Sequence, residues 1–414
     1  MKKYRRSLLS LLLALSLSLS LTTPWALASS AAPETETPAA TETPETTPPG
    51  PVVEEKTPVE SQLLNDMHIE ATAAILVDAA TGTVLYEQDA HEQRYPASIT
   101  KVMTTLLALE HASLDEMVTA GKNAAGVTGT SLYLSQGETL SMEHMLYGLM
   151  LRSGNDAAVA VAEHIAGSVP AFAEMMNDKA EALGANAHFV NPHGLDADGH
   201  GISALGLALV MRAAMKNETF RTITGTQRKI IPWVGNEYSR VLENKNKLLK
   251  TYEGATGGKT GYTGKAGRCL VFSAERDGLS LIGAVLNCPT WFDTATTLLD
   301  YGFENFRSES ALADGESVDA VAVTDGVSEV VNIVADAPLQ TAVPVGEAIR
   351  IVRQLPKSLE APVHAGQPVG TARLMAGDRV LAECRLIAAS DVPRRDLRQS
   401  IIRLLRGWLL RLQA

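Results

Sequence analysis

Two strand–turn–strand signals, "AAILVDAATGTVLYEQDA" at residues 73–90 and "CLVFSAERDGLSLIGAVLNC" at 269–288, stand about 180 residues apart. Each is a pair of apolar, β-branched runs around a short turn, Thr81-Gly82 in the first and Arg276-Asp277-Gly278 in the second. Between them the apolar period is helical. Val102, Met103, Leu106, Leu107 and Leu109 recur at helical spacing after Ser98. "SMEHMLYGLMLRSGNDAAVAVAEHIAG" reads as two helices interrupted at Ser153-Gly154-Asn155, and further helical stretches cover roughly 169–183 and 204–216. Hairpins at both ends of a helical stretch predict an α/β (α+β) domain, an antiparallel sheet covered by a helical block, over residues 62–308.

The flanks follow other rules. Residues 1–28 carry four basic residues, an apolar run from Leu8 to Leu21 and a small-x-small site at Ala26-Leu27-Ala28. That is the pattern of a secretory signal peptide, too short an apolar run for a preferred membrane span, so the protein is expected to be exported. Residues 29–61 are rich in Pro, Thr and Glu and nearly free of aromatics, a composition that predicts a disordered acidic linker. From 309 to 390 short alternating runs such as "VDAVAVTDG" and "VLAECRLIAA" predict a small all-β sandwich without a catalytic constellation.

The last stretch, 391–414, is different again. Wound as a helix, it puts Leu397, Ile401, Ile402, Leu404, Leu405, Trp408, Leu409 and Leu412 on one side and Arg395, Arg403, Arg406 and Arg411 on the other. A polar face of one sign favours an amphipathic helix lying on a membrane surface over a helix packed on the sandwich. The formal net charge is -11, and no basic stripe appears in the interior, which excludes a nucleic-acid binder. Three cysteines, Cys269, Cys288 and Cys384, are too few for a disulfide scaffold. Cys269 and Cys288 flank the second hairpin, where a bridge is conceivable, and buried free thiols are the simpler expectation. No His/Cys cluster has metal-ligand spacing, so neither a metal nor another cofactor is expected.

Chemistry concentrates in three places. In "YPASITKVMTT", Ser98 and Lys101 lie one helical turn apart, so the amine can reach the hydroxyl and act as its base. Taken alone, that spacing equally suits a capping serine and a solvated lysine. Lys101 works as a base only when neutral, and burial beside a second cation would lower its pKa. Ser153 and Asn155 sit in the interhelical break, where a hydroxyl can relay a proton and an amide can orient a lysine, although these are also ordinary turn residues. Lys259-Thr260-Gly261, followed by Tyr262, precedes the last strand pair, supplying a second cation, a hydroxyl for a carboxylate and a glycine that lets a substrate backbone approach.

The order Ser-x-x-Lys, Ser-x-Asn, Lys-Thr-Gly, with separations of 55 and 106 residues, is the motif set of penicillin-binding proteins and serine β-lactamases. Residues 65–308, including "LYGLMLRSGNDAAVAVAEHIAG", "FVNPHGLD" and "GGKTGYTGKAGRCLVFSAERDG", resemble the D-alanyl-D-alanine carboxypeptidases, low-molecular-mass penicillin-binding proteins of the peptidase S11 family. The resemblance implies that Ser98 attacks the D-Ala-D-Ala bond of a peptidoglycan stem peptide, that Lys101 takes its proton, and that β-lactams acylate Ser98. It implies that backbone N–H groups of Ser98 and Tyr262 form the oxyanion hole. Ser153 and Lys259 would protonate the leaving D-alanine, Asn155 would fix Lys101 and substrate, and Thr260 would read the terminal carboxylate. It also implies a place on the outer face of the cytoplasmic membrane, held by the terminal helix. The chain departs from the family at Gly201, Gly206 and Gly258, which replace larger or polar residues.

Three rivals are weighed against this. A class A β-lactamase needs a deacylating Glu in a Glu-x-x-Leu-Asn loop, and "EALGAN" around Glu181 does not fit. A wall DD-endopeptidase would share all three motifs. A non-catalytic wall-binding module would be expected to have lost one of them.

Overall fold

The computed structural model describes Met67, residues 69–399 and residues 401–402. The expected signal peptide, the whole of the expected linker and most of the expected terminal helix lie outside the described residues.

The two hairpins form where the sequence puts them, and they share one sheet. Strands β1 (Ala73–Asp78), β2 (Val84–Gln88), β3 (Ala255–Thr263), β4 (Gly267–Arg276) and β5 (Leu279–Leu286) make an antiparallel sheet in the order β2-β1-β5-β4-β3. The first strand therefore inserts beside the last, with Ala73 opposite Leu286. Asp277 and Gly278 both have positive φ, 49° and 77°, the two-residue turn whose twist matches that of the flanking strands.

β1 is wholly buried because both faces of the sheet are covered. Ala73, Ile75 and Val77 enter the core under the helical block, while Ala74 and Leu76 enter a second core on the opposite face. The helical block contains α1 (Lys101–His111), α2 (Met142–Tyr147), α3 (Asn155–Ala166), α4 (Val169–Ala182), α5 (Ala204–Met215) and α6 (Glu218–Gly225). α7 (Trp291–Asn305) covers the other face through Ala295, Leu298 and Leu299. Caps at Ser141, Ser168, Ser203 and Asn217 each accept a hydrogen bond from a backbone N–H of the first turn.

The C-terminal domain is all β. It contains β6 (Phe306–Leu312), β7 (Ser317–Thr324), β8 (Val330–Ala335), β9 (Leu339–Pro344), β10 (Ile349–Gln354), β11 (Ser358–Glu360), β12 (Pro368–Ala376) and β13 (Arg379–Ala388). Six strands pair in the order β10-β12-β13-β8-β7-β11, and β6 pairs with β9 as a separate ribbon. Leu312, Leu339 and Val343 of the ribbon share a core with Ile333, Leu374 and Leu386 of the sheet. β6 starts at Phe306, three residues before the expected boundary at 309, because it continues directly from α7. Asp78, at the end of β1, joins the domains. Its buried carboxylate accepts hydrogen bonds from the Thr341 hydroxyl (3.3 Å) and the Ala342 N–H (3.0 Å).

All three cysteines are free and buried, so the conceivable Cys269–Cys288 bridge is absent. Among the described residues, no helix is long and apolar enough to cross a membrane. The start of the terminal helix, Leu397, Ile401 and Ile402, leaves those side chains exposed.

Candidate active site

Ser98 does not cap α1. It lies in a 3₁₀ turn, Ala97–Thr100, that precedes the helix, and Lys101 is the first α-helical residue. Ala97 has φ 49°, an unusual conformation for a side chain other than glycine. Its carbonyl oxygen accepts the Thr100 hydroxyl hydrogen (3.0 Å). The loop beneath the turn comes so close that a Cβ on Gly194 would sit 1.8 Å from the same oxygen.

His200 braces this turn. Its Nδ1 accepts from the Val190 N–H (3.0 Å), so Nε2 carries the hydrogen and donates to the Thr100 hydroxyl (2.9 Å). Burial lowers its pKa to about 4, consistent with a neutral ring.

Lys101 is fully buried. Its Nζ lies 3.0 Å from Ser98 Oγ, 2.7 Å from Asn155 Oδ1 and 2.6 Å from the His193 carbonyl oxygen. A neutral amine has two hydrogens and one lone pair. The two carbonyl-type oxygens can take only hydrogens, which leaves the lone pair for the Ser98 hydroxyl. The pKa of Lys101 is pushed well below the ordinary lysine range, first by burial and then by the charges of Lys259 and Lys245, with Asp156 opposing. Burial thus outweighs the second cation that the sequence pattern brings forward.

Ser153 ends α2 after a π-helical turn, Gly148–Arg152, in the left-handed region at φ 67° and ψ 35°. That turns its side chain out of the helical line, and Lys259 Nζ donates to its Oγ (3.1 Å) and to the Thr260 carbonyl (2.7 Å). Lys259 is also buried, and its pKa falls to about 7 through burial and the Lys245 charge. Asn155 starts α3 and donates through Nδ2 to the Thr128 carbonyl (2.7 Å), so its amide is held at both ends.

Lys259, Thr260, Gly261 and Tyr262 all belong to edge strand β3. A Cβ on Gly261 would lie 2.9 Å from Ser98 N, so only glycine lets the strand approach the Ser98 amide this closely. Gly258, also in β3, has φ 146°, and a Cβ there would meet the Val271 carbonyl oxygen at 2.4 Å. The Thr224 hydroxyl accepts from Gly258 N–H (2.9 Å) and donates to its carbonyl (3.1 Å). The departure at Gly258 is therefore built into the strand. The Gly206 N–H donates to the Ser203 cap oxygen, and Gly201 pairs with His188 in a short bridge.

The structure brings Ser98, Ser153, Asn155, Thr260, Gly261 and Tyr262 to one cleft of about 380 Å³. Lys101 and Lys259 lie beneath it, bonded to the two serines. None of the described residues lining the cleft is a carboxylate. Glu181 stands on α4, away from that lining, so the acidic base of a class A β-lactamase has no counterpart there. Sequence reasoning passed over the His193 carbonyl, which no side-chain pattern reveals, and Lys245. The latter stands in the basic run "NKNKLLK", a signal that could have been noticed.

Residues 57–290 match the peptidase S11 family, D-alanyl-D-alanine carboxypeptidase, and residues 306–394 match the C-terminal domain of penicillin-binding protein 5. The chain is 32% identical to D-alanyl-D-alanine carboxypeptidase DacF of Bacillus subtilis, over 82% of its length and 90% of that protein's. It is 33% identical to DacA of Escherichia coli K12, over 78% of this chain and 84% of that one. The structure is similar to penicillin-binding protein 5 from Haemophilus influenzae, with TM-score 0.70, 29% identity, 79% of this chain and 99% of that one. It is also similar to PBP3 of Streptococcus pneumoniae, with TM-score 0.66, 26% identity, 79% of this chain and all of that one.

Proposed function

Because the chain belongs to the peptidase S11 family of D-alanyl-D-alanine carboxypeptidases, we propose that it removes the terminal D-alanine from peptidoglycan stem pentapeptides through an acyl-enzyme on Ser98. The observation that carries this reading is the three-way coordination of Lys101. With both amine hydrogens donated to Asn155 and His193, only a lone pair faces Ser98, and a buried neutral amine is a competent base.

Lys101 takes the hydroxyl proton as Ser98 Oγ bonds to the carbonyl carbon. The oxyanion that forms lies between the backbone N–H groups of Ser98 and Tyr262, a reading supported by the close approach of Gly261 to the Ser98 amide. Collapse breaks the C–N bond. Ser153, bonded to a Lys259 that titrates near 7, passes a proton to the departing amine. Thr260 holds the terminal carboxylate, and water then hydrolyses the ester. A β-lactam follows the same first step and stays on Ser98. An acyl-enzyme without a nearby carboxylate base fits slow release of that adduct.

The signal-peptide pattern supports export, and the amphipathic arginine and tryptophan pattern of the C-terminal sequence supports attachment to a membrane surface. The catalytic domain is assigned to residues 62–308 and the β domain to 309–390, with the helix-to-strand junction at Asn305–Phe306 supporting a boundary there.

The test is D-alanine release from a stem pentapeptide by the mature protein and by Ser98→Ala. Release by the first alone is expected. No release by the unsubstituted protein, while a labelled penicillin still acylates Ser98, would overturn the carboxypeptidase assignment.

A further inference from the structure

A hairpin outside the catalytic machinery turns its apolar side chains outward. Its strands, Arg228–Ile231 and Arg240–Glu243, pair antiparallel with Ile230 opposite Val241, and both of those side chains are exposed. The loop between them, residues 232–239, adds exposed Val234 and Tyr238. Trp233 of that loop shares a depression of about 220 Å³ with Tyr133, which is 67% exposed. A cluster of this kind on a protein surface marks a place where something binds.

One buried guanidinium holds both rings in place. Arg240, paired with Glu138 in the interior, donates to the carbonyl oxygens of Leu132 (2.8 Å), Tyr133 (3.3 Å) and Pro232 (3.2 Å), which belong to the backbone on the two sides of the depression. The same guanidinium lies 4.9 Å from the Trp233 ring centroid. Gly235, at φ 80°, closes a turn in which the Asn236 N–H donates to the Trp233 carbonyl (3.0 Å). Tyr133 itself has φ 59°, a left-handed conformation that is costly for an aromatic residue. It is kept there by its N–H, which donates to Ser131 Oγ (2.7 Å), while the Ser131 hydroxyl donates to buried Asp156 (2.6 Å). A strained residue whose ring stands in water contributes little packing, so the device is explained by a ligand for that ring.

The lining limits what the ligand can be. Among the described residues it contains no carboxylate, so the depression is not built for a cation. It offers two aromatic rings, with the hydroxyl of Ser239 and the guanidinium of Arg152 beside them. A pyranose ring matches this set: its C–H face is apolar and stacks on an aromatic side chain, while its hydroxyl and acetamido groups accept and donate hydrogen bonds at the rim. The volume falls below the range of about 300–1,000 Å³ used by pockets that enclose a ligand, so it suits one ring of a chain that otherwise stays in solvent. Arg152 fixes the location, since it lines the depression and immediately precedes Ser153 of the catalytic cleft.

We propose that the Tyr133–Trp233 depression is a glycan subsite, stacking one N-acetylated amino sugar of the strands that bear the stem peptides. The inference rests on the peptidoglycan reading above, and it assigns Tyr133 and Trp233 to recognition of the polymer rather than to bond breaking. Stems carried on a strand are then drawn to the cleft in preference to free peptides.

The experiment measures D-alanine release by the mature protein from a free stem pentapeptide and from the same pentapeptide carried on uncross-linked glycan strands. On the strands kcat/KM per stem is expected to be about tenfold higher, through a lower KM. Tyr133→Gly removes the ring at a φ that glycine adopts without strain, so the protein keeps its fold. This variant and Trp233→Leu are expected to lose the preference while changing release from the free pentapeptide by less than about twofold. Tyr133→Phe, which keeps the ring, should retain it. Added salt should leave the preference in place, because stacking on a neutral sugar is not ionic. Equal kcat/KM on the two substrates in the unsubstituted protein, or a preference that survives in both ring-deleted variants, would overturn the subsite. If neither substrate releases D-alanine, the carboxypeptidase reading falls by itself, and calorimetric titration with a peptide-free tetramer of N-acetylglucosamine decides the subsite. Saturable binding that weakens about tenfold in Tyr133→Gly sustains it, and no saturable binding overturns it.

Discussion

The catalytic domain and the C-terminal β domain bury different things. Under the helical block the chain hides Lys101, Lys259, Asn155, Asp156, Ser153 and His200, each matched by named partners. In the β domain the buried residues are apolar except for Thr341, and that side chain faces the catalytic domain's Asp78. Charges there pair on the surface, as in Arg385 with Asp336 and Arg394 with Glu360. Burying a polar group costs free energy unless it is fully partnered, so a dense buried polar network marks a place where chemistry is worth that cost. The β domain carries no such network, which fits a role in spacing and orientation.

Breaking the network at its centre should have the largest effect. Lys101→Ala is expected to slow both penicillin acylation of Ser98 and D-alanine release by at least ~10³-fold, since Ser98 would lose the base proposed for it. A labelled-penicillin time course checks this, and a variant acylating at the normal rate would remove Lys101 from the mechanism.

The buried Arg240–Glu138 pair, with contacts of 2.6 Å and 2.9 Å, tests the same contrast through stability. Arg240→Ala strands a buried carboxylate and should cost about 3–5 kcal/mol, read as a large fall in Tm.

Acid provides a third probe. His200 has a folded-state pKa of about 4 and His193 of about 3, against an unfolded value near 6.5. Between those values the unfolded chain binds more protons, so stability is complete above about pH 6.5 and drains as pH falls toward 4 and below. The slope is on the order of 1 kcal/mol per pH unit for each ring. Urea titrations across pH 4–7 should show this slope, reduced in His200→Gln.

The joint comes next. Asp78→Ala removes the acceptor shared by Ala80 N–H, Thr81, Thr341 and Ala342 N–H. It should cost about 1–3 kcal/mol and make the segment between the domains more open to limited proteolysis. The smallest effect is expected at the β-domain surface, where Arg385→Ala should change stability by less than about 1 kcal/mol. A loss there as large as at Arg240 would dissolve the contrast between the two regions.

Much of the framework was legible in residues alone. The alternation and turn chemistry of "SAERDGLSL" specify β4, β5 and their two-residue turn. The period of "AVAVAEHIAG" specifies α3, and the three motifs locate the chemistry. Less legible was the conformation of the nucleophile's segment. "ASIT" reads as the first turn of a helix, yet contact with Gly194 and the Ala97 conformation hold it as a 3₁₀ turn ahead of one. The terminal amphipathic stretch is explicit as a pattern, although most of it lies outside the described residues.

By itself the sequence determined which side chains are available, their spacing within each element, and the alternation that makes β1 a two-faced core strand. Those are local properties, set by backbone geometry and side-chain period over a few residues. Only the tertiary structure decided that the Lys101 amine is held well below the ordinary lysine range. Its state depends on burial, on a carbonyl contributed from position 193 and on an amide from position 155, groups brought together by packing across the fold rather than by proximity in the chain.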